Sequence, residues 1–203
     1  LPSLGALLGT RFSAEFRAQV LGLDEIHHPK VHEMAKWIEA WTKAAASNKA
    51  GVGRWIAIAG APGCGKSHAA RKASEFLRSH NVELWRARYY STPPSIRFAT
   101  WSKVVGLGPL AWGDFEEEIR TAKIVILDDV GSEVDRFKSG EPTERLRSTL
   151  EACERKWLAI TTNIPRAVWC EKFDHRVASR LEQASTIDMS GVPDYRPKLR
   201  RAT

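Results

Sequence analysis

Hydrophobic spacing divides most of the chain into alternating strands and helices. Arg54 to Ala59 is a compact apolar run and predicts a buried strand. Ala69, Ala70, Ala73, Phe76 and Leu77 follow at helical spacing. Further runs at Val82–Arg88, Ile124–Leu127, Trp157–Thr161 and Thr186–Met189 predict four more strands. Ile124–Leu127 is apolar without alternation, as expected of a strand covered on both faces. Helices are predicted from Val31 to about Ser47, from an Asp114 N-cap through Ile119, over Glu141–Lys156 and over Asp174–Leu181. In the first of these, Met34, Ala35, Ile38, Trp41 and Ala45 share a face, and both Trp37 and Trp41 read as core anchors. Phe12, Phe16 and Val20 have helical spacing ahead of His28-Pro29. Ser91–Pro94 predicts a turn, and Ile96–Trp112 a short helix followed by a loop. This alternation predicts an α/β fold, a five-stranded parallel sheet with helices on both faces.

The first strand runs into Gly60-Ala61-Pro62-Gly63-Cys64-Gly65-Lys66-Ser67, which fits the Walker A pattern. Gly60, Gly63 and Gly65 let backbone N–H groups turn toward phosphate oxygens that a Cβ would block. Lys66 can reach the β- and γ-phosphates, and the Ser67 hydroxyl can ligate Mg²⁺. A strand before and a helix after place the phosphates at a helix N-terminus, so ATP is the expected ligand.

Asp128-Asp129 closes the third strand, at the carboxyl end where ligands bind in open α/β sheets. Asp128 is positioned to hold Mg²⁺ and Asp129 to orient an attacking water. Thr161-Thr162-Asn163 leaves the next strand nearby, and Asn163 is the expected hydrogen-bond partner of the γ-phosphate or the water. Arg176 and Arg180 lie four apart on one helical face. They are either arginines for a transferring phosphate or a surface pair bonded to Glu171 or Glu182.

Composition adds limits. At 203 residues the chain suffices for one sizeable core, and no apolar run approaches the ~20 residues of a membrane span. Leu1–Leu8 lacks a basic flank, so no signal peptide is expected. Three cysteines without metal-ligand spacing fit a reduced, cytoplasmic compartment. A net charge of +7 permits a polyanionic partner without specifying one. Aromatic residues next to basic ones at Trp85-Arg86, Arg88–Tyr90 and Trp101–Lys103 suggest single-stranded DNA. Of these, Trp85 reads as core, and Arg97 and Lys103 are the expected exposed contacts.

The runs Gly60–His68, Ile124–Glu133, Thr161–Asn163 and Arg176–Leu181 together resemble the AAA+ ATPases of the DnaC/IstB group. Gly191 and Asp194-Tyr195-Arg196 resemble that group's closing segment. The resemblance implies a five-stranded AAA+ core over 48–196, with 1–47 a helical linker region and 197–203 a basic tail. It places His68 with the phosphate loop, Asn163 as sensor 1, and Arg180 as a finger reaching a neighbour's nucleotide, supported by Arg176. It implies self-association into a ring or spiral, single-stranded DNA contact, and a replicative DNA helicase as partner. The chain is short for a helical lid after Met189 and for a partner-gripping domain before the core. Because it begins at Leu1, an upstream domain is expected to be missing from this stretch. Asp129 stands where many AAA+ proteins carry Glu, which implies slow hydrolysis. The alternatives are an IstB-like transposition ATPase, a small-molecule P-loop kinase and a non-hydrolysing ATP switch.

Overall fold

The computed structural model describes residues 28–47, 53–86, 95–132 and 140–196, of which 47 and 79–86 are described by their backbone alone. Phe12–Val20, Arg88, Tyr89 and Tyr90 lie outside the described residues, and of Trp85 only the backbone is described. In chain order the elements are α1 (Pro29–Ser47), β1 (Trp55–Ala59), α2 (Lys66–Arg86), β2 (Ile96–Thr100), α3 (Trp101–Val105) and α4 (Pro109–Thr121). They continue with β3 (Ile124–Val130), α5 (Glu141–Ala152), β4 (Trp157–Thr162), α6 (Trp169–Lys172), α7 (His175–Glu182) and β5 (Ser185–Asp188). The sheet is parallel throughout, in the order β2-β3-β4-β1-β5.

Strand periodicity sorts the core onto two faces. Ile56, Ile58, Ile124, Ile126 and Ala159 face α1 and α2, where Ile38, Trp41, Ala70, Ala73 and Phe76 cover them. Trp55, Ala57, Val125, Leu127, Leu158 and Ile160 face the other way, toward Trp101, Phe115, Ile119, Leu146, Leu150, Trp169 and Val177. With both faces covered, β1 and β4 are buried at every position, which explains apolar runs without alternation.

Four expectations are corrected, the first being Ile96–Trp112, which is no short helix and loop but holds β2, α3 and the start of α4. The second strand is Ile96–Thr100, not Val82–Arg88, whose residues up to Arg86 extend α2. An established helix adds a backbone hydrogen bond per residue without a new nucleation cost, which outweighs strand-like composition. Asp114 is interior to α4, which starts at Pro109 after Gly108; Pro at the first helical position is the stronger start signal. Trp37 is 42% exposed, while Trp41 is fully buried. The Trp41 ring meets Trp157 edge-on at 6.3 Å, and its Nε1 donates to Arg54 O at 2.9 Å. Helix α1 thus seals one face of the sheet, with Val31, Met34 and Ile38 in the same cluster as β1.

Trp41→Ala should lower unfolding free energy by about 3–5 kcal/mol in chemical denaturation, because it empties a closed site. Trp37→Ala should change it by no more than about 0.5 kcal/mol.

Candidate functional site

The strand order sets the site. β3, β4 and β1 are consecutive neighbours, so their carboxyl ends place Asp128-Asp129, Thr161–Asn163 and the phosphate loop side by side. Asn163 stands between the other two. Its Oδ1 accepts from Lys66 Nζ at 3.0 Å, and its Nδ2 donates to Asp129 Oδ1 at 2.7 Å. The lysine, amide and carboxylate form one continuous line.

A bulge arranges the two aspartates. Leu127 pairs with Ile160 and Val130 with Thr162, so Asp128 and Asp129 together oppose the single residue Thr161. Regular alternation would send adjacent side chains to opposite faces of the sheet. Here Asp129 adopts a left-handed φ of 64°, the one non-glycine residue to do so among those described. The Thr161 hydroxyl holds the distortion: Oγ1 donates to Asp128 Oδ1 at 2.7 Å and accepts from Asp129 N at 2.9 Å. Both carboxylates are therefore tied to β4 and its exit. Thr161 does this work although spacing in the chain singles out Asn163.

The phosphate loop is folded around its own lysine. Lys66 Nζ donates to Gly60 O at 2.8 Å and Ala61 O at 2.7 Å, and lies 3.6 Å from Cys64 Sγ. Burial pulls the Lys66 ammonium below the usual lysine value. Cys64 and Asp129 act against that pull and Arg196 adds to it. The main-chain and amide oxygens on Nζ are the kind of acceptor that phosphate oxygens replace. Ser67 and Asp128 supply only oxygen donors, and Asp128 is buried, a set that fits a hard cation such as Mg²⁺. His68, one residue on, is exposed on the first turn of α2.

The segment after β5 straps the loop, a role that local spacing does not show. Tyr195 N donates to Gly63 O at 3.1 Å, and Met189 N donates to Ala59 O at 2.7 Å. Gly63 has a φ of 81°, and a Cβ there would collide with the Asp194 carboxylate. A Cβ on Gly60 would come within 2.6 Å of Met189 Cβ. These glycines are required by close packing against the strap as well as by phosphate access. Helix α1 joins the same corner, with Lys30 Nζ donating to Ser190 O at 2.6 Å and to Asp188 Oδ2 at 3.3 Å.

Arg176 and Arg180 stand apart from this cluster. They line a pocket of about 650 Å³ that also takes in Arg54 and Trp55 at the amino end of β1 and Arg155 just before β4. That end of a parallel sheet is opposite the phosphate loop. Arg180 pairs with Glu151 at 3.1 Å and Glu154 at 3.5 Å on α5 and the turn after it, not with Glu171 or Glu182.

The expected nucleic-acid contacts are partly corrected. Trp101 is fully buried. The Arg97 guanidinium pairs with Glu118 at 2.8 Å and lies over the Phe115 ring at 5.6 Å, so it is engaged within the fold. Lys103 is exposed on α3. No group of three or more His, Cys, Asp or Glu side chains among the described residues could hold a metal on its own. No described helix is long and apolar enough to cross a membrane.

Neither a protein-family model nor a curated protein matches the chain. Solved structures do match. AMPPCP-bound DnaA from Aquifex aeolicus superposes with a TM-score of 0.64 at 13% identity, over 92% of this chain and 54% of that one. A DnaC helicase loader gives 0.59 at 16% identity, over 88% of this chain and 98% of that one. DnaA bound to AMPPCP and single-stranded DNA gives 0.63 at 11%, over 85% and 49%. The chain thus spans about half the length of these DnaA structures. Its five-stranded α/β fold is shared with these DnaA and DnaC structures.

Proposed function

We propose that the chain is an ATP-binding and ATP-hydrolysing AAA+ protein that loads or remodels a replicative DNA helicase. The observation that carries the ATPase reading is the line from Lys66 through Asn163 to Asp129, which links the phosphate loop to a carboxylate poised for water. In this reading Gly60, Gly63, Cys64, Gly65 and His68 frame the phosphates, and Lys66 turns from its loop carbonyls to phosphate oxygens. Ser67 and Asp128 would hold Mg²⁺, which neutralises charge on the β- and γ-oxygens when bound. Asp129 accepts the proton side of the attacking water while Asn163 fixes its orientation. Arg180, far from its own phosphate loop, acts on the nucleotide of an adjacent subunit, with Arg176 beside it. Such trans action needs a head-to-tail assembly, the geometry that builds rings and spirals.

Helicase loading is supported by the DnaC loader matching over nearly its whole length. Single-stranded DNA contact is supported by the basic composition and by the DNA-bound DnaA match. That contact should weaken steeply as salt is raised, because phosphate neutralisation releases counterions. A fluorescence-anisotropy titration at several salt concentrations measures it, and tighter binding to duplex would favour the transposition reading.

Lys66→Ala should weaken ATP binding on the order of 10- to 100-fold, the loss of a charged hydrogen-bond donor, with no change in folding. An unchanged dissociation constant by calorimetry would overturn the ATP site. Asp129→Asn should retain binding and lower turnover roughly 10²-fold. Normal turnover in that variant would remove Asp129 from the chemistry, and no turnover in the unaltered protein under any condition would leave an ATP switch.

Arg180→Ala should bind ATP normally and lose at least an order of magnitude in turnover; fingers elsewhere contribute on the order of 10³–10⁵. Mixing it with Lys66→Ala protein should restore part of the activity, since some interfaces then join an intact loop to an intact arginine. A mixture that co-assembles and stays inactive would show that the site is complete within one subunit.

A further inference from the structure

The surroundings of Arg180 go beyond a finger waiting at an edge. Its Nη2 donates to Glu151 Oε1 at 3.1 Å and faces Glu154 Oε1 at 3.5 Å. Its Nε is buried with no hydrogen-bond partner in the structure described. The side chain is only 22% exposed, so this guanidinium is gathered onto its own subunit. The pocket beside it sets four arginines, Arg54, Arg155, Arg176 and Arg180, against one glutamate, Glu154. Arg54 adds rigidity there by donating from Nη1 to Arg155 O at 2.8 Å.

A recess with that surplus of guanidinium groups attracts an anion, and planar guanidinium forks match phosphate oxygens. The phosphate loop of the same subunit lies at the opposite end of the sheet and cannot supply one. A second copy arranged head to tail can, because a triphosphate bound at its loop end is complementary to this basic recess. On the proposed function, that triphosphate is what Arg180 meets in this pocket; we propose that Glu151 and Glu154 form an internal latch on Arg180. In a free subunit the two carboxylates hold Arg180. On assembly the neighbour's phosphate takes their place, and no covalent bond changes. The latch makes subunit contact depend on the neighbour carrying its nucleotide. It rests on Arg180 acting in trans.

The test replaces both carboxylates with amides of the same size, Glu151→Gln with Glu154→Gln. Arg147, which lies 3.7 Å from Glu151, keeps its 2.5 Å pair with Glu144, so the exposed face of α5 retains its other ion pairs. ATP turnover per subunit is measured against protein concentration. Both part-exposed ion pairs of Arg180 are lost, so the half-saturating concentration should fall roughly two- to five-fold. The ATP dissociation constant of dilute subunits should not move. In an Arg180→Ala background the same two changes should shift nothing, because the latch has nothing to hold.

A half-saturating concentration that stays put or rises in the double variant overturns the latch. Should that variant fold poorly by circular dichroism, Glu154→Gln alone serves. Glu154 is 65% exposed, in the turn after α5, and its loss should give the same direction with a smaller shift. If Arg180→Ala itself turns over normally, the trans reading fails. If Arg180→Ala is impaired and the amide variants shift nothing, only the latch fails. Amide variants that bind single-stranded DNA more tightly without any change in self-association would also overturn it, assigning the pocket to nucleic acid.

Discussion

Asn163 is the interaction on which the arrangement of the site depends, because one amide serves two charged groups of opposite sign. Its oxygen accepts from the buried Lys66 ammonium and its nitrogen donates to the Asp129 carboxylate. Few side chains present an acceptor and a donor in so short a space. An aspartate there would repel Asp129, and a leucine would remove one of the three oxygen acceptors of Lys66 and the amide donor to Asp129. The amide also stops the two charges from collapsing onto each other. That leaves Lys66 and Asp129 linked through the amide.

The amide can do this only because of strain stored next to it. Asp129 is held in the left-handed region by the bulge against β4 and by the Thr161 hydroxyl. A non-glycine residue there costs of order 1 kcal/mol or more and persists only when its neighbours over-determine it. Thr161 provides that restraint through two hydrogen bonds, and the fully buried strand β4 provides the rest. The cost is repaid in geometry, since adjacent carboxylates are brought to bear on one site.

The two ends of the sheet carry opposite chemistry. At the carboxyl end, phosphate loop, carboxylates and strap converge, with α1 closing the corner through Lys30. At the amino end, arginines gather in a pocket against the glutamates of α5 and its turn. Under the proposed function, contact of one end with the other would be heterologous. In the proposed function, nucleotide chemistry and assembly chemistry lie at opposite ends of one subunit and would meet between subunits.

Much of this was legible in the chain alone. The glycines of the phosphate loop, Lys66 and Ser67 follow each other without a gap, so local sequence determines that motif and its strand-to-helix setting. Asp128-Asp129 at the end of an apolar run, and the continuous burial of β1 and β4, are likewise local properties. What the tertiary structure decided involves partners distant in sequence. The order β3-β4-β1 puts Asn163 beside Lys66, 97 positions away. The bulge needs β4 as its template, and Thr161 gains its role only from being the one residue opposite two. The same limit explains the misplaced second strand: Val82–Arg88 and Ile96–Thr100 both have strand-like composition, and continuity with α2 and pairing with β3 chose between them. Trp37 and Trp41 are equally apolar, yet only Trp41 meets Trp157 and the Arg54 carbonyl. Local propensity chooses an element, whereas burial, register and hydrogen-bond partners are set by whichever remote residues the fold brings alongside.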